Sequence, residues 1–221
     1  MSKSITDRPI YIVMKYLYYF LVTNFYFVLS NILFFLAFYL ADFTFKNILL
    51  FYVTLIPMGP SITALLSTMG KLVRQKEVNP TSEYFKSYKS NFTITMKYWM
   101  IQLTFIFILL IDVYYSTNNE NIFSPLFLIL LIISLFVMLY AFPIISRFEV
   151  KIKNLFIISL YSNFKFLKAT LLNMSSLVAF GIIYINFPSI SSLFSISLIA
   201  YFIMYNLQGP LERLKIEMSK E

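Results

Sequence analysis

Long apolar runs without a charged residue divide the chain into candidate membrane spans. The longest run covers residues 169–211, contains 43 uncharged residues and is interrupted by a turn signal at Asn186–Ser189, so it has room for two helices. A helix needs about 20 apolar residues to cross the bilayer. The pattern predicts an all-α fold and one membrane domain over residues 1–221, with six transmembrane helices at about 16–41, 46–71, 94–115, 122–146, 167–185 and 189–207.

Two segments between these spans have a different pattern, in which apolar residues recur at helical spacing among lysines. In the first segment, Asn79 and Pro80 form a helix-start signal. Tyr84 and Tyr88 then begin an apolar stripe, and the second segment has a similar stripe. We predict two amphipathic helices that lie at the membrane surface, at about 79–92 and 149–165.

Lysine and arginine are distributed unevenly along this pattern. Seventeen of the 18 lie in the N-terminal tail, in the loops after the second and fourth spans, and in the C-terminal tail, and only Lys46 lies on the other side. Because basic residues concentrate in cytoplasmic loops, we predict a protein of the cell membrane whose termini and amphipathic helices are cytoplasmic. The net charge of +8 is then a topology signal, and nucleic acid is not an expected partner.

The two amphipathic segments also share short sequence matches. The dipeptide Glu-Val occurs at 77–78 and again at 149–150, and Ser-Asn-Phe occurs at 90–92 and again at 162–164, each time 72 residues further on. This offset would align the second span with the fourth and the third with the fifth. Five identities leave open whether the chain contains a parallel structural repeat, of the kind that some transporters use.

The composition agrees with a membrane protein and limits its chemistry. Hydrophobic residues make up 59% of the chain and charged residues 13%, against roughly 45–50% and 25% in soluble domains. The chain has no Cys and no His, which excludes thiol and imidazole catalysis and zinc–thiolate sites. We therefore expect neither enzymatic activity nor a cofactor or metal site.

The second span contains a helix-breaking sequence. Pro57 and Pro60 remove two backbone donors within four residues, and inside a membrane the freed carbonyls need another partner. Gly59 lies four residues before Thr63. Pro60 likewise lies four residues before Ala64, and small residues at this spacing let two helices approach closely. The break is either a discontinuous helix that lines a binding site or a kink that serves helix packing, and the sequence favours packing.

The end of the fourth span carries another proline, followed by an arginine. Pro143 is expected to bend or end the helix near the inner membrane surface, where Arg147 and Phe148 emerge. Arg147 is either a topology anchor or part of a docking corner for a cytoplasmic partner. In the docking hypothesis, Arg147 and Phe148 act together with Tyr84 and Tyr88 of the first amphipathic segment.

A few polar and aromatic side chains interrupt the apolar spans. Asn24, Asn31 and Gln102 are expected to form interhelical hydrogen bonds. Trp99, two residues after Lys97, fits an aromatic anchor at the inner membrane interface.

Over about residues 15–210 the chain resembles the YesL-like family of bacterial membrane proteins. Residues 59–64 match a Gly-Pro motif followed by small residues, and residues 86–92 match a segment rich in Phe, Lys and Asn. Residues 142–148 match a Phe-Pro…Arg-Phe ending, whereas a tryptophan that is usual in the family near Asn31 is absent.

The resemblance implies a domain of unknown function, in a family whose members are often associated with carbohydrate uptake. We therefore expect a non-catalytic membrane protein that assists or regulates a transport system. Its expected partners are membrane lipid and either transporter subunits or a second copy of the chain. The alternative is a permease-like subunit with its site at the broken second span. That subunit would need a separate ATPase, because the chain has no phosphate-binding loop of the form G-x-x-x-x-G-K.

Overall fold

The computed structural model describes residues 9–42, 44–118 and 123–218, which contain eleven α-helices, one 3₁₀ turn and no strand. The 3₁₀ turn, Phe45–Asn47, precedes the third helix. The helices in chain order are α1 (Pro9–Ser30), α2 (Ile32–Leu40), α3 (Ile48–Leu55), α4 (Met58–Gln75), α5 (Pro80–Asn118), α6 (Ser124–Ile145), α7 (Ile152–Lys165), α8 (Leu167–Asn186), α9 (Pro188–Ser191), α10 (Ser195–Asn206) and α11 (Gln208–Met218).

Four of the described helices, α1, α5, α6 and α8, are long and apolar enough to cross a membrane. Helices α3 and α4 qualify together as a fifth span, although the pair is bent by 50°. Helix α10 is apolar but only 12 residues long. The prediction of an all-helical membrane protein is thus confirmed. The described part of the chain has four or five helices that could cross a membrane, whereas the sequence predicted six. The predicted start of the fourth span, at residue 122, lies outside the described residues.

The first predicted span, 16–41, is divided into two helices. Helix α1 already begins at Pro9 and ends at Ser30, and α2 follows from Ile32. Between them, the Asn31 side chain donates a hydrogen bond to the Phe27 carbonyl at 2.7 Å. A side-chain amide that bonds to a carbonyl four residues earlier competes with the helical backbone bonds, which explains why the helix is interrupted at this residue.

The first amphipathic segment and the third span form one continuous helix of 39 residues, α5. Its start is as the sequence predicts, because the Asn79 carboxamide oxygen accepts a hydrogen bond from the Ser82 backbone N–H at 3.2 Å and Pro80 is the first helical residue. The second amphipathic segment instead forms a separate helix, α7, which a single residue, Phe166, separates from α8.

Helix α4 is the centre of the fold. Twelve of its 18 residues are buried, and it packs against α5 and α10 most extensively and also against α1 and α6. A Cβ atom added to Gly70 would lie 2.6 Å from the terminal methyl of Met204 on α10. The small residues of α4 therefore serve close helix packing, as the sequence favoured.

The 72-residue offset is visible in the structure at two points. Helix α5 begins at residue 80 and α7 at residue 152. In α5 the Asn91 amide donates to the Ser87 hydroxyl at 3.1 Å, and in α7 the Asn163 amide donates to the Ser159 carbonyl at 2.8 Å. The correspondence ends at Phe166, where α7 stops and α5 at the equivalent position continues.

Candidate functional site

The bend between α3 and α4 is filled by the side chain of Trp99. The indole N–H of Trp99 donates a hydrogen bond to the Leu55 carbonyl, the last of α3, at 2.8 Å. Opposite it, a Cβ atom added to Gly59 would lie only 2.5 Å from Trp99 Cβ and 2.7 Å from Cδ1. Trp99 is therefore buried in a packing joint, 4% exposed, and is not an anchor at the membrane interface as the sequence suggested.

The two prolines at this bend lie at the start of α4, where a proline removes no backbone hydrogen bond of the helix. Pro57 is the N-cap of α4 and Pro60 is its third residue, and the first N–H groups of a helix have no intrahelical acceptor. One turn further, the Thr95 hydroxyl of α5 donates to the Thr63 hydroxyl at 3.3 Å. Ala64, the residue after Thr63, is fully buried. The structure thus joins the predicted motif to α5 by direct side-chain contact.

An apolar cavity of about 730 Å³ lies between α1, α4, α6, α8 and α10. Its described lining consists of aliphatic, aromatic and methionine side chains, among them Phe27, Leu66, Phe142, Pro143 and Ile203. Such a lining accommodates hydrocarbon. A sugar would lose its hydrogen bonds to water there and find no replacement among these side chains.

Beyond this cavity, Arg147 pairs with a residue of its own chain. Its guanidinium donates to the carboxylate of Glu212 on α11 and lies 5.5 Å from the centre of the Phe148 ring. The Arg147 side chain is only 12% exposed, and Phe148 packs against the core. Leu211 and Leu214 hold the same helix α11 in place by burial. The docking hypothesis expected Arg147 to bind another protein, whereas in the structure it binds Glu212 of its own chain.

Three further ion pairs hold the same end of the molecule together. They join α1 to the α4–α5 loop (Lys15–Glu77), α4 to α5 (Lys71–Glu83, 2.6 Å) and α7 to α11 (Lys165–Glu217, 2.6 Å). We call the surface that carries these three pairs and Arg147–Glu212 the ion-paired face. The Arg147 guanidinium lowers the pKa of the Glu212 carboxyl, and the ammonium of Lys15 lowers that of Glu77.

Tyr84 and Tyr88, the other two predicted docking residues, belong to internal packing. Tyr84 is fully buried, and its hydroxyl donates to the Ser30 hydroxyl at 3.2 Å. Its ring contacts those of Tyr26 and Tyr88, and Tyr88 is half-buried. The apolar side chains that this segment does expose are Phe85, at 48%, and Phe92, at 40%. The helical spacing was correct, but the buried and exposed sides of the stripe could not be separated from sequence.

The amides within the spans bind backbone carbonyls. Asn24 donates to the carbonyls of Ser192 and Leu193, both at 2.9 Å, and Gln102 donates to that of Ser134 at 2.9 Å. The Gln102 bond joins α5 to α6, as the sequence predicted, whereas Asn24 binds the turn between α9 and α10 rather than another helix.

A comparison with family models identifies part of the chain. A family model described as a protein of unknown function, DUF624, matches residues 20–113. The matched segment runs from α1 nearly to the end of α5 and includes Gly59 and Trp99, whereas Pro143 and Arg147 lie outside it. Among curated proteins and among solved structures, none matches this chain.

Proposed function

We propose that the chain is a YesL-like, non-catalytic protein of the cell membrane that assists or regulates a transport system through its ion-paired face. The link to transport comes from the resemblance to the YesL-like family. The assignment to a regulatory rather than a transporting role comes from the interior of the helix bundle.

In the part of the chain that the structure describes, two features of the bundle support an accessory role. The broken second span, on which the permease alternative depends, is packed shut by Trp99 against Gly59. The cavity between α1, α4, α6, α8 and α10 has an apolar lining. This combination of a closed break and an apolar cavity is the observation that carries the proposal, since a polar solute needs hydrogen-bonding groups along its path.

Six membrane crossings are part of the proposal, and the ion pairs support this even number. The Lys15–Glu77 pair ties the start of α1 to the α4–α5 loop. The Arg147–Glu212 pair ties the C-terminal helix α11 to the end of α6. Arg147 and Glu212 in turn lie close enough to Arg74, at the end of α4, to interact with it electrostatically. Both described ends of the chain therefore lie at one face, as an even number of crossings requires. In this proposal α10 with its flanking residues is the sixth crossing, and the charge distribution favours a cytoplasmic position for this face.

The surface available to a partner lies on the N-terminal part of α5. Phe85 and Phe92 are exposed there beside Lys86 and Lys89, and aromatic residues are enriched at protein contacts relative to the rest of the surface. The Lys71–Glu83 pair links this part of α5 to α4.

Site-specific photo-cross-linking in intact cells tests the proposal. A photoreactive residue at Phe85 or Phe92 is expected to capture a component of a membrane transport system. The matched control is Phe105, which lies on the same helix and is similarly exposed at 44%, but falls within the predicted third span. It is expected to capture lipid only.

Uptake measurements separate the proposal from the permease alternative. Vesicles that contain only the purified protein should accumulate no sugar, while deletion of the gene should alter uptake by the cross-linked transporter. Capture of an ATPase alone, together with ATP-driven uptake by that two-component complex, would instead establish the permease. Lipid adducts at all three positions would refute the proposed docking surface.

A further inference from the structure

A second cavity, of about 570 Å³, opens where α5 meets the loop between α6 and α7. Its polar lining includes Lys97 from α5 and Glu149 and Lys151 from the loop. Ile94 and Phe148, which also line it, are partly buried and pack against the core. The cavity therefore has an apolar floor and a charged rim.

The charged groups of this rim form no ion pair with the residues that the structure describes. On the ion-paired face, Glu77, Glu83, Glu212 and Glu217 each bind a basic side chain. Glu149 is exposed and, among the residues that the structure describes, forms no ion pair. Within the same described ranges, the ammonium groups of Lys97 and Lys151 likewise lack a carboxylate partner. A ligand that carries both charges could pair with all three groups.

We propose that this cavity binds a phosphate ester that also carries a primary ammonium group, which is the chemistry of phosphoethanolamine. Lys97 and Lys151 bind the phosphate as charge-assisted donors, and Glu149 accepts hydrogen bonds from the ammonium. Lys151 is also the N-cap of α7, and no side chain of the described residues caps that helix start, so the first N–H groups of α7 add to the attraction for the phosphate.

The position of the cavity indicates where such a ligand comes from. Lys97 is the last charged residue before the apolar run 98–111 of α5, so the rim lies at the predicted inner interface, where lipid headgroups are found. Phosphatidylethanolamine in the membrane and free phosphoethanolamine both carry this phosphate ester with its ammonium group. A competition experiment between the two distinguishes these sources.

Native mass spectrometry of the purified protein, titrated with defined lipids, tests the proposal. We expect phosphatidylethanolamine to bind more tightly than phosphatidylcholine, whose quaternary ammonium has no N–H to donate to Glu149, and more tightly than phosphatidylglycerol, which has no ammonium.

Lys97→Gln or Lys151→Gln should weaken the binding of phosphatidylethanolamine about fivefold, the scale of a partly exposed ion pair. Glu149→Leu, which removes the acceptor, should abolish the preference over phosphatidylcholine. Lys153→Gln, at an exposed lysine on the first turn of α7 outside the cavity, is the matched control and should change nothing.

Each outcome of the titration decides the proposal. Displacement of the lipid by millimolar phosphoethanolamine, with the same dependence on Lys97 and Glu149, supports the site and identifies a soluble ligand. Selective lipid binding without such displacement supports the site and identifies the membrane lipid. Equal binding of the three lipids, or binding that the cavity variants and Lys153→Gln change to the same degree, overturns it, since the lysines would then act only as general surface charge. All four substitutions alter exposed side chains, and unchanged melting temperatures would show that the variants are folded.

Discussion

Trp99 and Gly59 are complementary at the level of single atoms. A helix bend inside a membrane exposes backbone carbonyls that water cannot reach, and here the indole N–H satisfies that of Leu55. The indole can come so close only because residue 59 has no side chain. The two prolines create the bend, and these two residues make it stable.

Gly59→Ala should destabilise the protein although alanine is the better helix former. The added methyl would overlap Trp99, and overpacking of this kind costs about 1–3 kcal/mol. Gly181→Ala in α8 is the matched control, because a Cβ atom added there has no neighbour within 4 Å. That variant should be neutral or more stable by up to about 1 kcal/mol. Unfolding in mixed detergent micelles measures both, and equal effects at the two glycines would contradict the packing joint.

Trp99→Phe isolates the hydrogen bond from the packing. The phenyl ring fills much of the same space but leaves the Leu55 carbonyl without the donor it has now. A buried acceptor left unpaired costs about 1–3 kcal/mol. The same unfolding assay should show a loss in this range, and a stability equal to that of the wild type would mean that Leu55 finds another donor.

At the scale of helices, local signals were readable in the sequence and distant ones were not. The start of α5 could be predicted because Asn79 and Pro80 are adjacent and act within one turn. The break at Asn31 was missed because an amide in an apolar run bonds equally well to another helix, as Gln102 does, or to its own. Spacing placed Tyr84 on the correct side of α5 but could not show that α1 covers it.

One of the two ion pairs of helix α11, Arg147–Glu212, depends on pH. Because Arg147 lowers the pKa of Glu212 below its ordinary value of 4.5, the pair contributes its full stabilisation above that value and loses it as the pH falls through the lowered pKa. Hydrogen-exchange protection of residues 208–218 should therefore decrease under acid conditions. In Glu212→Gln the protection should already be reduced at neutral pH and should lack this acid transition.

Glu217→Gln is the matched control for the α11 experiment. Glu217 pairs with Lys165 near the end of the same helix, at a more exposed place than Arg147. Its loss should increase exchange in the last turn only. If the two variants have the same effect along the whole of α11, the helix is held by Leu211 and Leu214 and Arg147–Glu212 does not control it.

At the scale of the whole molecule, the number of crossings depends on contacts that sequence patterns cannot show. Hydropathy alone does not identify α10 as a membrane-spanning helix, because α10 has only 12 residues. The pair Arg147–Glu212 joins positions that are 65 residues apart in the chain, and it requires α11 to lie on the same side as the end of α6. With five crossings α11 would lie on the opposite side of the membrane, and this contact could not form.

Single-cysteine labelling decides between five and six crossings, and the chain suits it because it has no native cysteine. Cysteines at the exposed positions Thr44 and Ser189 should react with a membrane-impermeant maleimide in intact cells. Cysteines at Lys153 and Lys215 should react only after the membrane is permeabilised, since six crossings put α7 and α11 in the cytoplasm. Labelling of Lys215→Cys in intact cells, with Lys153→Cys still protected, would establish five crossings and exclude the Arg147–Glu212 pair. Reporter fusions after Glu77 and after Asn119, a position outside the described residues, check the first half of the topology in the same way, with cytoplasmic activity expected only at Glu77.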